Sequence, residues 1–283
     1  SEMCIRDRVE MIFAFIAAGV GNLIRMKLIK HHYTLFLNIA VSISAACLTY
    51  AVCLHMAELL LHVSAVHEAG YICSMLFIIP GFPFITSGID LAKLDLRSGL
   101  ERLAYAIIIV MVATMFAWIM ALLLQLKPMD FEDLNLTPVL HLILRLIMSF
   151  FGVFGFSIMF NSPAPMAATA ALIGAIANSL RLELVDLTGM PAPAAAFAGA
   201  LTAGLLASFI KENNGYPRIS LTVPSIVIMV PGLYLYRAIY NFGIMALSDA
   251  VSWFASAIMI IIALPLGLIF ARILTDKTFR YCT

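Results

Sequence analysis

Residues 78–90 read IIPGFPFITSGID. Three helix breakers interrupt this apolar run, and they are Pro80, Gly81 and Pro83. Proline removes a backbone donor and clashes with the preceding turn, so we predict that a membrane helix kinks or unwinds here. Polar side chains follow the break at Thr86 and Asp90. The stretch therefore predicts a broken membrane span with polar groups beside the break.

A second copy of this pattern lies at residues 229–241, which read MVPGLYLYRAIYN. It repeats the Pro-Gly pair as Pro231 and Gly232. The polar residues after this second break are Tyr236, Arg237 and Asn241. Two broken apolar segments in corresponding halves of a chain are the best sequence-level pointer to the binding site of a transporter. We therefore place the predicted transport pathway at these two breaks.

The composition is that of a membrane protein. Of the 283 residues, 63% are hydrophobic and 12% are charged, and the mean hydropathy is +1.03. Soluble domains carry about 25% charged residues. Outer-membrane barrels are excluded because they alternate apolar and polar residues in short strands. The fold class is therefore all-α and polytopic, the lipid bilayer is one partner, and no basic patch suggests nucleic acid.

Hydropathy predicts nine spans of about 20 residues, the length that a helix needs to cross the hydrocarbon core. The predicted limits are 9–25, 33–54, 68–89, 100–126, 138–161, 166–184, 190–210, 220–242 and 249–273. An acidic connector at 127–137, KPMDFEDLNLT, divides the chain near its middle.

The two sides of the connector repeat. The sequence NLIRMKL at 22–28 resembles NSLRLEL at 178–184, and the two Pro-Gly pairs are separated by a similar distance of roughly 150 residues. Aligning the Pro-Gly pairs places Thr86 on Arg237 and Asp90 on Asn241. We predict a first repeat at 9–126, a second at 138–274 and a cytoplasmic tail at 275–283.

The count of spans per repeat has two consequences. The second repeat holds five spans and the first holds four, so we expect a ten-span protein, of which this chain is an N-terminally truncated fragment. An odd number of spans per repeat inverts one half relative to the other. Residues 1–8, SEMCIRDR, match nothing that follows, and we interpret them as a foreign or artefactual leader.

Charge patterning predicts the orientation in the membrane. Placing the connector at 25–32 in the cytoplasm brings most lysines and arginines to the same side, including Lys93, Arg97 and Arg272. This bias follows the positive-inside rule and predicts a cytoplasmic C-terminus in a bacterial inner membrane.

Three ionisable or polar residues could carry chemistry, and each has a structural alternative. Asp90 suits a proton-coupled site, or it is a helix-end charge that pairs with Lys93, Arg97 or Arg102. Arg102 could pair with Asp90 or contact a carboxylate, or it anchors the span to the positive face. Asn161, in FNSPAP, forms a gate or simply a turn.

Two further arginines are candidates for holding a substrate carboxylate. Arg145 lies inside the fifth span, where a charge costs a few kcal/mol unless it faces a cavity or partner. Its alternative is snorkelling to the surface. Arg237, among tyrosines after the second break, could bind a carboxylate in bidentate fashion, or it belongs to an interfacial belt.

Enzyme signatures are missing from the sequence. It contains no HExxH, no Gly-rich phosphate loop, no GxSxG and no paired intramembrane aspartates. We therefore predict that the protein is not an enzyme, that it needs no cofactor or metal, and that an ion gradient supplies its energy.

Three stretches resemble the threonine/serine exporter family. They are PGFPFITSGIDLAKLDLRSGLERLAYA in the first half and FGFSIMFNSPAPMAATAALIGAIANSLRLEL, followed by VPSIVIMVPGLYLYRAIYNF, in the second. The resemblance covers most of 9–273. The positions that match the family pattern are Pro80, Gly81, Pro83, Asp90, Gly99, Arg102, Asn161, Pro163, Gly174, Pro231, Gly232 and Tyr236.

The resemblance implies a ten-span inner-membrane exporter of small hydroxy amino acids, driven by protons. Split relatives imply a dicarboxylate such as succinate as an alternative substrate. A non-catalytic membrane subunit or fragment that needs a partner chain, or a homo-oligomer, is the second class of interpretation. The chain lacks the soluble N-terminal domain and first span of fused members, and the polar residue usual after the first break stands one place later, at Thr86.

Overall fold

The computed structural model describes residues 8–61, 70–126 and 137–280. Within these ranges the chain is almost entirely helical and contains no β-strand, so the all-α prediction is confirmed. Residues 1–7 of the predicted leader, 127–136 of the connector and 281–283 of the tail lie outside the described residues.

The helices of the first half are α1 (Arg8–Lys30), α2 (Leu35–Leu61), α3 (Gly70–Met75), α4 (Gly81–Ala92) and α5 (Leu96–Leu123), with a 3₁₀ turn at Leu76–Ile78 after α3. Those of the second half are α6 (Pro138–Met159), α7 (Ala164–Thr188), α8 (Ala192–Asn214), α9 (Arg218–Val227), α10 (Gly232–Gly243), α11 (Leu247–Thr275) and α12 (Lys277–Arg280).

Seven of the described helices are long and apolar enough to cross a membrane singly, namely α1, α2, α5, α6, α7, α8 and α11. Two further spans are bent pairs. The segment Gly70–Ile78 joins α4 at an angle of 55°, and α9 joins α10 at 43°. Counting each pair as one span gives nine. The polytopic architecture is thereby confirmed, and the two bends fall at the two Pro-Gly pairs.

In addition to the two bends, local sequence determines where several helices begin or end. The carboxylate of Asp95 accepts a hydrogen bond from the N–H of Ser98 at 3.3 Å and caps the start of α5. Pro138 lies in the first turn of α6, where its missing N–H leaves no bond unmade. α7 ends at Gly189, whose φ of 65° lies in the left-handed region that favours a residue without a Cβ.

The packing pairs of the first half recur in the second. In the first half, α1 packs on α2 and α3, while α5 packs on α2 and α4. In the second half, α7 packs on α8 and α9, while α11 packs on α8 and α10. The contacts between the halves include two reciprocal ones, α4 with α11 and α10 with α5, and α4 also packs on α9. α6 packs on α7 and α9.

A small apolar cluster lies where the halves meet. Its buried members are Phe84, Ala106, Val110, Leu235 and Ala257. Phe84 and Leu235 each stand three residues after the glycine of a Pro-Gly pair. Because corresponding residues pack together here, the cluster marks the centre of the contact between the halves.

Candidate functional site

The first break is an inverse γ-turn centred on Pro80. Pro80 has φ −80° and ψ 65°, and the N–H of Gly81 donates to the carbonyl of Ile79 at 2.8 Å. Both features define an inverse γ-turn. Because the proline ring fixes φ and supplies no N–H, the preceding helix cannot continue, and α4 starts afresh at Gly81.

The second break has the same local geometry. Pro231 has φ −80° and ψ 53°, and the N–H of Gly232 donates to the carbonyl of Val230 at 2.8 Å. α10 then begins at Gly232. Each break therefore ends one short helical segment and begins another, which exposes helix-terminal backbone groups inside the bundle.

The first break packs directly against the second broken span. A Cβ placed on Gly81 would lie 2.6 Å from Cγ2 of Val227 and 3.3 Å from Cγ2 of Val230. Separations under 3.0 Å require a neighbour to shift, so only glycine fits this approach without rearrangement.

The second break packs on the first in the corresponding way. A Cβ on Gly232 would lie 2.5 Å from Cδ1 of Ile79 and 3.0 Å from Cδ2 of Leu76. Leu76 and Ile79 stand before Gly81 at the same distances in sequence at which Val227 and Val230 stand before Gly232. The contact is therefore reciprocal, as in a two-fold interface where equivalent residues exchange partners.

Thr86 lies buried after the first break, with a relative exposure of 3%. Its hydroxyl donates back into its own helix, to the carbonyls of Phe82 at 3.0 Å and Pro83 at 3.3 Å. The buried hydroxyl is therefore satisfied within its own helix, by the back-bonding that is usual for a threonine inside a helix.

Asp90 and Arg102 form an ion pair between the end of α4 and the start of α5. Nη1 of Arg102 lies 3.0 Å from Oδ2 of Asp90, and the side chains are 51% and 19% exposed. Arg102 is half exposed, whereas Oδ2 of Asp90 is buried and makes no hydrogen bond of good geometry. Asp90 is therefore the more buried partner of the pair.

Tyr236 lies fully buried in α10 and contacts Tyr71 of α3. The two hydroxyl oxygens are 2.6 Å apart, and the rings meet edge to face with centroids 5.7 Å apart. Either hydroxyl can donate. The bond joins an arm of the first broken span to an arm of the second, beside the reciprocal glycine contacts.

Arg237 and Asn241 lie further along α10. Cζ of Arg237 is 4.7 Å from the ring centroid of Trp253 in α11, a cation–π distance. The amide of Asn241 donates to the carbonyl of Arg237 at 2.8 Å. The structure thus places the guanidinium of Arg237 against α11 and bonds the amide of Asn241 to its own helix.

Arg145 lies in α6 with a relative exposure of 1% and contacts two carboxylates of α7. Its Nη1 donates to Oε1 of Glu183 at 2.7 Å, and its Nη2 donates to Oδ2 of Asp186. The guanidinium therefore bridges two carboxylates and joins the two helices through charge-assisted hydrogen bonds. Arg145 is thereby placed at the α6–α7 contact and not beside the Pro-Gly breaks.

Asn161 lies in the turn between α6 and α7 and is exposed. Its φ of 59° is in the left-handed region, which asparagine tolerates better than most residues. Its neighbour Phe160 packs edge to face on Phe82 of α4, with ring centroids 5.2 Å apart. The turn is therefore linked to the first broken span through this aromatic contact.

The sequence did not single out three residues that the structure brings to the breaks or beside them. Nη1 of Arg25 donates to the carbonyl of Phe77, just before the first break, at 3.3 Å. Tyr71 and Trp253 contact α10, as described above. The alignment of Arg25 with Arg181 in the repeat is the sequence signal that points to the first of these residues.

The tyrosine pair gives a direct test of how the two broken spans are joined. Tyr71→Phe or Tyr236→Phe alone leaves one buried hydroxyl without its partner, and each should lower the free energy of unfolding by about 1–3 kcal/mol. The double variant removes both hydroxyls and should lie closer to the native value. Thermal unfolding of the purified protein measures this, with Tyr33→Phe, at an exposed position, as the control. Additive losses would show that the hydroxyls do not interact.

Comparison with known proteins supplies the family. Residues 5–125 match the family model "Putative threonine/serine exporter", and residues 145–274 match the model "Threonine/Serine exporter, ThrE". The chain belongs to the threonine/serine exporter family. The two matches fall on the two halves of the chain, and each includes one Pro-Gly break. No curated protein and no solved structure matches the chain.

As a member of this family, the protein is a multi-pass membrane protein of an exporter class. The family matches confirm the resemblance drawn from the two halves of the sequence. Among the residues that the structure describes, no group of three or more His, Cys, Asp or Glu side chains could hold a metal ion.

Proposed function

We propose that this exporter moves a small hydroxy amino acid, threonine or serine, out of the cytoplasm, and that a proton gradient drives it. The observation that carries the proposal is the reciprocal contact of the two Pro-Gly breaks, Gly81 against Val227 and Gly232 against Ile79. Discontinuous helices of this kind form the substrate sites of many secondary transporters.

The breaks present backbone groups with partial charges of both signs, N–H groups after each break and carbonyl groups before it. α4 and α10 begin at Gly81 and Gly232, and helix N-termini favour a carboxylate. The short helical segments before each break end in carbonyl groups, which favour an ammonium group. An amino acid carries one group of each kind. This match supports a zwitterionic substrate over a dicarboxylate.

The recurrence of packing pairs supports a cycle of alternating access. We propose that residues 9–126 and 138–274 are inverted repeats whose reciprocal contacts, α4 with α11 and α10 with α5, exchange roles between two states. The contact through small residues at the breaks allows one half to rock on the other.

The Asp90–Arg102 pair is the proposed proton-linked element. Protonation of Asp90 removes its charge and weakens its hold on Arg102, which lies 3.0 Å away. The corresponding residues after the second break and in α11 are Asn241 and Trp253, which do not titrate. Coupling would therefore belong to one half of the molecule.

Efflux of labelled threonine, serine and succinate from cells that carry the gene tests the proposal. We expect threonine and serine to leave faster than from cells with an empty vector, and we expect a protonophore to remove the difference. Succinate efflux without amino-acid efflux would show that the substrate is a dicarboxylate and not a hydroxy amino acid. Equal efflux with and without the protein for all three compounds would refute the exporter function.

Asp90→Asn tests the coupling. The amide is isosteric and cannot ionise, so gradient-driven efflux should fall about a hundredfold or more, the lower end of the range for a lost acid–base group. Exchange of labelled for unlabelled threonine, which needs no net proton movement, should persist. Glu101→Gln, which removes an exposed carboxylate paired with Arg97, is the control. Native efflux from Asp90→Asn would exclude Asp90 from the mechanism.

A further inference from the structure

A cavity of about 510 Å³ opens beside α9, away from the reciprocal contact of the breaks. It lies between the last turn of α4, the end of α8, the start of α9, and the end of α11 with α12. Volumes in this range are typical of small-molecule sites. Its wall includes Ile89 and Thr222, one residue from each broken span.

Arg218 lines the cavity and is held in place by two hydrogen bonds. Its Nη1 donates to Oγ1 of Thr275 at 2.9 Å, and its Nη2 donates to the carbonyl of Gly204 at 3.1 Å. Both bonds go to neutral groups. The positive charge of Arg218 is therefore fixed in position without being neutralised by these partners.

Arg272 lines the same cavity from α11. Its Nε lies 3.4 Å from Oδ2 of Asp276, and its Cζ lies 4.1 Å from the ring centroid of Phe279. These two contacts involve Nε and one face of the guanidinium, and neither of them uses its Nη1 or Nη2 donors. Arg218 interacts electrostatically with both Arg272 and Asp276, since the charge of Arg272 repels it and the charge of Asp276 attracts it.

The charge of the lining favours an anion. Among the described residues that line the cavity, four are basic and one is acidic, namely Lys93, Arg218, Arg272, Lys277 and Asp276. An anion between the two guanidiniums would relieve their repulsion and satisfy donors in the fork geometry that arginine offers to carboxylates.

A second cavity gives the contrast. It has a volume of about 470 Å³ and lies between the ends of α2 and α5, in the place that corresponds, under the repeat, to the ends of α8 and α11. Its described lining includes Glu58, His55 and Gln125 but no lysine or arginine. The two cavities therefore differ in the sign of the charge that they present.

We propose that the cavity between Arg218 and Arg272 is the loading site at which the carboxylate of the substrate is held before it reaches the breaks. The proposal rests on the proposed function and adds the site and the group recognised there. The proposal also accounts for the difference in charge between the two cavities. Basic residues at the cavity where the substrate enters attract its carboxylate, and the acidic residue at the cavity where the substrate leaves does not retain it. Binding at this cavity lowers the substrate concentration at which transport from the side of the cavity is half-maximal. It does not change the substrate gradient that the transporter reaches at equilibrium.

Binding to purified protein in nanodiscs of phosphatidylcholine tests the site independently of transport. The probes are threonine, threonine amide, which lacks the carboxylate, and succinate. Arg218→Gln and Arg272→Gln should each weaken threonine binding about tenfold or more, the range of a lost charge-assisted hydrogen bond, and should leave the amide unchanged. Arg97→Gln, at an exposed helix position, should bind threonine as the native protein does.

Conservative variants keep the test valid if a glutamine variant fails to fold. Arg218→Lys and Arg272→Lys retain the positive charge but lose the planar donor pair of the guanidinium. The ratio of the affinities for threonine and its amide should therefore decrease but stay above one. In cells, the half-saturating internal threonine concentration should rise in the glutamine variants while the maximal rate stays close to native. A preference for threonine over the amide that is unaltered in all four variants would overturn the proposal.

The outcomes separate the site from the function. Arginine-dependent binding of threonine or succinate without any efflux would keep the site and refute the exporter function. Native half-saturation in the variants, with normal efflux, would refute the site alone.

Nanodiscs with phosphatidylglycerol address the other source of an oxyanion, a lipid headgroup. If the variants lose only stabilisation by this anionic lipid and bind threonine normally, the cavity is a lipid site and the proposal is wrong.

Discussion

Gly81→Leu should abolish export and lower the free energy of unfolding by about 1–3 kcal/mol, the usual cost of overpacking. Even a single Cβ at this position would lie 2.6 Å from Cγ2 of Val227. A leucine must therefore push the two breaks apart, which removes the contact on which the proposed pathway depends. Thermal unfolding of the purified protein and efflux of labelled threonine measure the two effects.

A matched glycine separates this steric effect from helix propensity. Gly155 lies in α6, is exposed, and has nothing within 4 Å of the place where a Cβ would stand. Gly155→Leu should therefore be tolerated in both measurements. The contact can also be restored from the other side, because Val227→Ala removes the clashing methyl groups and should partly rescue Gly81→Ala. Native efflux from Gly81→Leu would show that the breaks need not touch.

Arg145→Met should destabilise the protein by about 3–5 kcal/mol, the largest loss of stability that we expect from a single substitution. The substitution leaves Glu183 and Asp186 without the guanidinium that pairs with both. Glu183 is only 23% exposed, so water compensates its charge incompletely. Unfolding of the purified protein, and the amount that reaches the membrane, measure the effect.

The triple variant with Arg145→Met, Glu183→Gln and Asp186→Asn distinguishes packing from substrate binding. Removing all three charges leaves no unpaired ion, so stability should recover much of the loss. The half-saturating threonine concentration should then equal the native value if Arg145 acts only between α6 and α7. A stable triple variant that no longer exports threonine would assign Arg145 to the transport pathway.

The sequence was sufficient to predict features that depend on short stretches of chain. A run of about 20 apolar residues crosses the bilayer whatever its neighbours are, so seven helices and two broken spans were predictable. The breaks themselves were predictable because proline cannot donate a backbone hydrogen bond. The two Pro-Gly pairs duly form the same turn, at Pro80 and Pro231.

Pairings between distant side chains were not predictable in the same way. A charged residue within a span or at its end has the same sequence pattern whether it snorkels to the surface or pairs with another helix. The structure distinguishes these cases for Arg145, which contacts Glu183 and Asp186, and for Arg25, which contacts the carbonyl of Phe77. The repeat alignment showed which residues correspond but not which residues touch.

The sequence by itself determined the membrane class, the places of the helices and the two breaks, because these follow from local hydrophobicity and backbone chemistry. Only the tertiary structure decided that Gly81 meets Val227 while Gly232 meets Ile79, and that Tyr71 bonds Tyr236. Such contacts depend on how helices far apart in the chain cross. Their crossing is set by the fit of many side chains at once, and no short segment encodes that fit.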